Sequence, residues 1–476
     1  MKARQKNWCL YAVMGAGALL RLFYVIFSTI YDRQYDIGMI DLDAGHTVSG
    51  GHLAYIQYIY ENGLPDFDPV TVYQFHHPPL HHAVCAAWMK FCSLFIRNTD
   101  ILEESIQSVP FVCSLLILWV LYEILKQFQM RERTVCFVMA VFAFHPSLIL
   151  LSGSVNNDCM ALLFTLLIVH QTIDWSRRLR LIVIVRLALC MGLGMLVKQN
   201  VAEMAFPVGA VFLYILIRSW KNAALRARLI GQLALFGLIS VPIGMSFYVR
   251  NLVRFGTSLL WVYELPADSW QYTGNVPLVN RFLWPIPSEM LDNLLHFRLG
   301  CSYNVWMQLI RTSVLGEWDM ASVGAPVKLL AVLLMLLGAA LALLALCCFV
   351  KVFVADGIRM AVRRLRRTFR KNGAETDGAA AGIREDTGIL CEDATCTILF
   401  VVGYVVSMAC YLIFAYRYPQ QCSMHFRYIE ITLLFPAVAL GLVRQAGGKR
   451  FRALSAAVLA GFALCSTAMV CVWCLL

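Results

Sequence analysis

Charge is what this sequence has least of. Only 14% of its 476 residues are Asp, Glu, Lys or Arg, against 60% hydrophobic, and the mean hydropathy is +0.67. Soluble domains carry about 25% charged residues, so the composition excludes a water-soluble globular protein and indicates an integral membrane protein. Acidic residues are the scarcer sign, 29 against 40 basic, for a formal charge of +11. In a soluble chain that excess would suggest nucleic acid. Here the basic residues sit in short clusters between apolar runs, the pattern of cytoplasmic loops, and no nucleic-acid partner is expected. The zincin pattern HExxH is missing, as is any internal repeat of the kind transporters show. The 17 cysteines are scattered, many in apolar runs, where a thiol acts as a small hydrophobe. The pair with CxxC spacing, Cys471 and Cys474, has no βαβ context to suggest a redox motif. The first apolar run, about residues 8 to 30, is too long for a signal-peptide core and lacks a small-residue cleavage site, so it reads as a span.

What is present is a series of apolar runs near 20 residues long, the length that crosses a bilayer. They lie near 8–30, 109–126, 134–152, 159–175, 182–198, 201–217, 229–249, 326–350, 395–415, 427–443 and 453–474. The borderline stretch 79–96 contains two histidines and Lys90. If it does not span, six basic segments holding 27 of the 40 Lys and Arg share one side of the membrane; if it does, most of them flip and the positive-inside bias is lost. The expected fold is therefore an all-α polytopic membrane protein with about eleven transmembrane helices. Its N-terminus lies in the cytoplasm, and residues 79–96 form an interfacial helix within a large outer loop, 31–108. A second outer loop covers 250–325. The inner loop 351–394 is a basic, solvated linker held to anionic headgroups. Two regions are expected, an N-terminal catalytic module over 1–256 and a C-terminal membrane region over 257–476.

Polar residues concentrate on the outer side. The first loop carries Asp32, Asp36, Asp41, Asp43, Glu61, Asp66 and Asp68, which read either as loop acids or as a sugar-handling set with one carboxylate activating an acceptor hydroxyl. The turn "SGSVNND" places Asn156, Asn157 and Asp158 where they can cap the next helix or orient a substrate or one metal ion. Arg21, Lys198, Arg250 and Arg427 fall within or at the outer ends of spans. Charges there usually have partners, and four convergent cations suit a lipid phosphate. Trp270, Tyr272 and Trp284 in the second loop read equally as interfacial residues or as rings for sugar faces.

"YQFHHPPLHH" is the densest part of a run holding six of the ten histidines. A metal or haem centre needs convergent ligands. Adjacent pairs diverge, and His77 and His81, the one helical ligand spacing, are separated by Pro78, which holds His77 extended. His46, His52, His76 and His77 are better read as lining a sugar pocket. A transporter or flippase remains the alternative from another class, and a metal- or haem-dependent enzyme the alternative built on histidine.

The order "RQYDIG", "GHLAYIQYIYENGLPD", "QFHHPPLHH", "HPSLILLSGSVNND", "YVRNLVRFG" and "MHFRYI" resembles the GT-C membrane glycosyltransferases, nearest to bacterial members similar to protein O-mannosyltransferases and aminoarabinose transferases. The resemblance covers most of the first 256 residues and one motif near 427. It implies sugar transfer from a polyprenyl-phosphate donor to a glycan, lipid or protein acceptor at the outer face of a bacterial plasma membrane rather than the endoplasmic reticulum. Asp36 matches the family's catalytic aspartate, with Asp41 and Asp43 as fallbacks, and Asp158 its second acidic element. Arg427 and Arg250 match the phosphate-holding positions. No cofactor is required by this reading; "NND" offers one carboxylate where metal-dependent relatives have an acidic pair, so a divalent metal is possible without being supported.

Overall fold

The computed structural model describes residues 8–31, 40–41, 47–48, 50–259, 261–262, 264, 267–269, 271–296, 302–360, 391 and 393–475. Among the described residues the regular structure is helical apart from two-residue strands, Ile40–Asp41 paired antiparallel with Thr47–Val48, and one isolated bridge, Tyr272 with Gln420. The helices that matter below are α1 (Trp8–Phe27), α2 (His52–Asn62), α3 (Leu80–Cys92), α4 (Ser108–Lys126), α5 (Glu132–Ala143), α6 (Asp158–Arg178), α7 (Leu181–Val197), α8 (Ala205–Arg218), α9 (Ala223–Phe255), α10 (Ala325–Phe349), α11 (Ala394–Arg417), α12 (Leu434–Ala446) and α13 (Lys449–Leu475).

Among the described residues eight helical runs are long and apolar enough to cross a membrane. They contain α1, α4, α6, α8, α9, α10, α11 and α13. The three other predicted spans differ from expectation. The run near 134–152 is broken, with α5 and the segment Pro146–Gly153 meeting at 65°. The run near 182–198 is the 17-residue α7. The run near 427–443 begins as short 3-10 turns and becomes regular only in α12, 13 residues long. Arg427 therefore sits on an irregular turn, not in a membrane α-helix. Helix α3, with 13 residues, is too short to cross a bilayer, and Val84, Phe91, Leu94 and Phe95 leave apolar side chains exposed along it and just beyond its end.

The break near residue 145 accounts for Arg21. Pro146 cannot continue the α5 hydrogen-bond ladder, and backbone carbonyls freed at membrane depth must be satisfied internally. Arg21 donates to Phe142 O at 3.1 Å and Ala143 O at 2.8 Å, as well as to Gly17 O and the Ser114 hydroxyl. Ser466 donates to Phe144 O at 2.6 Å. The guanidinium can reach that position because α1 and α5 approach closely at Gly17, where an added Cβ would lie 2.8 Å from the Ala143 Cβ.

One apolar core runs through both halves of the chain, from Leu10 to Trp473. A second, smaller core lies beside the segment 50–107, where α2 and α3 bury Leu53, Ile56, Cys85 and Met89 against Ile30, Ile106 and Val155. Val155 belongs to the turn leading into α6, so this small core fixes α2 and α3 to the start of that helix. Helix α9 opens at Asn222, whose side chain accepts from the Leu225 N–H at 3.0 Å, and ends at Gly256 with a left-handed φ of 73°, a conformation that glycine adopts at least cost.

Candidate functional site

Four segments distant in sequence converge at the start of α6. Asp158 is the first residue of that helix and is buried. Its backbone N–H donates to Asn156 Oδ1 at 3.0 Å, so Asn156 shapes the turn. Asn157 donates from Nδ2 to Val197 O at 2.8 Å, occupying a carbonyl that the end of α7 would leave unpaired. The next residue is Lys198, extended between α7 and the 3-10 turn Gln199–Met204. The Asn157 bond thus brings the two segments together, and Lys198 Nζ pairs with Asp158 Oδ1.

Arg427 completes the group from the far end of the chain. Its Nη1 lies 3.7 Å from Asp158 Oδ2, and its Nη2 donates to the Tyr428 hydroxyl at 3.3 Å. The Lys198 ammonium sits 5.1 Å from the centre of the Tyr428 ring. Its 3-10 turn is anchored by the Phe426 N–H, which donates to Thr312 Oγ1 at 2.9 Å. Glu430, one turn on and buried, accepts from Ser147 in the segment after the helix break. Asp158, Arg427, Tyr428 and Glu430, with Asn200 and Glu203, line a small cavity of about 30 Å³. Lys198 and Arg427 are thus two buried cations balanced by Asp158, and Arg427 and Asp158 also face the cavity.

The histidines form a layer beside this centre. His52 and His82 share a hydrogen bond of 2.8 Å between Nδ1 and Nε2. His77 stacks on His52 at 5.1 Å between ring centres, and His76 lies 4.3 Å from His77. His81 donates from Nε2 to Val155 O at 2.8 Å, tying α3 to the turn before Asp158. Burial depresses the basicity of all five rings, and the Lys198 charge lowers that of His52, His76, His77 and His81 further. His76 and His81 are pushed down to about 4. The layer is therefore neutral at pH 7 and close enough to Lys198 to feel its field. Helix α3 begins at Leu80 with Pro79 before it, so His77 lies outside the helix. Among the described residues no three His, Cys, Asp or Glu side chains converge as metal ligands.

The other expected site residues fall elsewhere. Arg250 donates to Pro65 O and to Asn251 Oδ1 and lies 3.7 Å from Asp66, at the contact between α9 and the first outer segment. Arg21 is committed to the helix break. Tyr272 bridges to Gln420, and Trp284 is 77% exposed. Asp36, Asp43, His46 and Trp270 lie outside the described residues, and Asp41 is described only as backbone of the two-residue strand. Sequence reasoning missed Glu430, Tyr428, Ser147 and the positioning role of His81. Glu430 carried a signal, a carboxylate three residues after Arg427 in an apolar run. Ser147 carried none.

The chain resembles the GT-C membrane glycosyltransferases, as its motifs predict. Residues 76–245 match the family described as dolichyl-phosphate-mannose-protein mannosyltransferase, a stretch that includes His76, His77, Asp158 and Lys198. No curated protein matches by sequence. Among solved structures, the archaeal oligosaccharyltransferase AglB from Archaeoglobus fulgidus, in complex with an inhibitory peptide and a dolichol-phosphate, aligns at 14% identity and a TM-score of 0.43. That alignment covers 98% of this chain and 56% of the other. ArnT from Cupriavidus metallidurans bound to undecaprenyl phosphate aligns at 15% identity and a TM-score of 0.37, covering 92% and 77%. The chain spans little more than half the length of the archaeal enzyme.

Proposed function

We propose that the protein is an inverting glycosyltransferase that moves a sugar from a polyprenyl-phosphate donor to an acceptor hydroxyl at the outer face of a bacterial plasma membrane. The observation that carries this reading is the convergence of Lys198 and Arg427 on Asp158, two buried cations 229 positions apart in the chain that meet on one carboxylate. The match of residues 76–245 to a family of lipid-phosphate-dependent mannosyltransferases supports it.

In this mechanism Asp36 accepts the proton of the acceptor hydroxyl as its oxygen attacks the anomeric carbon. The bond from that carbon to the phosphate oxygen breaks, and the phosphate leaves with the electron pair on its lipid. Lys198 and Arg427 hold the growing negative charge, the contribution that fixed charges make most effectively in a water-poor site. Asp158 keeps both cations oriented before the donor arrives. The neutral histidines His52, His76 and His77 offer hydrogen bonds to sugar hydroxyls without competing for the phosphate. Asp41, Asp43, Asn156 and Asn157 serve the acceptor and the turn, no cofactor is needed, and the donor and acceptor are the partners.

The test is to offer purified protein a panel of polyprenyl-phosphate sugars and follow consumption of each. Turnover of one donor is expected, with Asp36→Asn lowering it at least a hundredfold, the usual contribution of a positioned base. No turnover across the panel by folded protein would sink the reading, and near-normal turnover by folded Asp36→Asn would remove that residue from it.

A further inference from the structure

Among the described residues of the second outer segment, the Trp261 ring meets the histidine layer. It lies 5.0 Å from His76, edge to face at 65°, and is half-buried. None of the aromatics expected to meet a sugar from this segment is described against the histidine layer: Tyr272 is tied to Gln420 and Trp284 stands in the open. Trp261 reaches it because the chain just before it is clasped to the first outer segment. Arg254 pairs with Asp66, and Arg250 donates to Pro65 O. Thr257 Oγ1 donates to Asp68 Oδ1 at 3.2 Å. From the opposite side, Gln199, next to Lys198, donates from Nε2 to Leu259 O at 3.4 Å. Contacts on both sides of the same short stretch bring the indole to the layer that feels the Lys198 charge.

We infer that Trp261 is a specificity-determining residue that meets the apolar C–H face of the donor sugar while His76 addresses its hydroxyls. An indole offers a large rigid face at small entropic cost, and a hexose presents C–H bonds on one face and hydroxyls around its rim. A flat ring beside neutral hydrogen-bonding groups suits such a ligand, whereas the phosphate goes to Lys198 and Arg427. The division makes a separable prediction: Trp261 acts on the sugar and leaves the lipid phosphate untouched. Arg250 and Arg254 then act as clasp residues, positioning the ring from a distance. This inference rests on the glycosyltransferase reading.

The experiment compares binding of undecaprenyl phosphate alone with binding of undecaprenyl-phosphate hexoses to wild type, Trp261→Ala and Trp261→Phe in the full chain. Trp261→Ala is expected to lose roughly tenfold in affinity for the preferred sugar-bearing donor, the size of a good ring contact. Its affinity for undecaprenyl phosphate should stay within about twofold of wild type, with Trp261→Phe recovering part of the loss. Asp66→Arg should weaken the sugar-bearing donor in the same selective way, and Asp66→Arg combined with Arg254→Asp should restore it. Equal losses for both lipids, or none for the sugar-bearing one, would overturn the assignment while leaving the proposed function standing. Failure of wild type to bind any of these lipids would instead remove the proposed function, and this assignment with it.

Discussion

Asp158 is the residue on which the centre turns, and its importance follows from electrostatics rather than from its place in a motif. A carboxylate buried beside two cations balances charges that would otherwise repel each other at great cost. A phosphate reaching Lys198 and Arg427 joins an existing balance, so the two cations act as a unit. Single Lys198→Ala and Arg427→Ala changes should each weaken undecaprenyl phosphate binding by about tenfold or more, the scale of a charge-assisted contact. The double change should fall well short of the summed losses, because either single change already disorganises Asp158. A binding cycle on the four proteins measures this; full additivity would show that the cations bind independently. Arg21 shows the opposite lesson. Its charge within an apolar run marked it as a phosphate ligand, yet its donors are spent on carbonyls freed by the break before Pro146. Sequence registers a charge in a span, and only the fold reveals whether backbone or ligand consumes it.

At the level of elements, the pair α2 and α3 works as a platform. It carries the neutral histidine layer on one side, and through His81 and Val155 it grips the turn that presents Asp158. The "HHPPLHH" stretch announced a histidine cluster and a helix start, but partner choice among its four rings was not legible, because the 30-residue gap between His52 and His82 closes only when the two helices pack. The cluster gives a pH dependence of definite sign. His76 and His81 hold protons more weakly when folded, at about 4, than the ordinary value near 6.5. Below 6.5 the unfolded chain therefore binds more protons than the folded one, and stability rises with pH through this window. Stability from this layer is complete above about pH 6.5 and is lost as pH falls toward 4. Thermal unfolding in lipid nanodiscs between pH 4 and 8 should show the midpoint dropping on the acid side. His76→Gln with His81→Gln should lessen that drop, the part left by His52, His77 and His82 remaining, and an unchanged slope would show that His76 and His81 do not contribute to it.

For the whole molecule, the distribution of basic clusters predicts sidedness, with loops 31–108 and 250–325 outside and the basic loops inside. Glu61 near the end of α2 and Arg226 in the first turn of α9 are exposed and half-exposed and make suitable reporters. In intact cells a membrane-impermeant maleimide should label Glu61→Cys, while Arg226→Cys should label only after lysis, on a background lacking the native thiols. The reverse pattern would invert the molecule and move the donor site to the cytoplasm. The eight long apolar helices were legible because length and hydropathy are local properties. The broken run near 145 was not, since Pro146 reads as a tolerable residue until the bend of 65° and the Arg21 repair are seen.

The sequence by itself determined that this chain lives in a membrane, which segments are apolar enough to enter it, and that Asp158, Lys198 and Arg427 are candidates for its chemistry. Composition and the length of apolar runs suffice for the first two; for the third, motif order supplies Asp158 and Arg427, and a charge at the end of an apolar run supplies Lys198. Tertiary structure alone decided which candidates meet. Lys198 and Arg427 lie 229 positions apart in the chain and come together because Asn157 ties α6 to the end of α7 while the 3-10 turn at 426–428 is anchored on Thr312. Arg21 and Arg250, equally charged and equally placed on paper, were drawn off by unpaired carbonyls and by Asp66. A buried charge goes to whatever satisfies it at least cost, and that partner is set by packing.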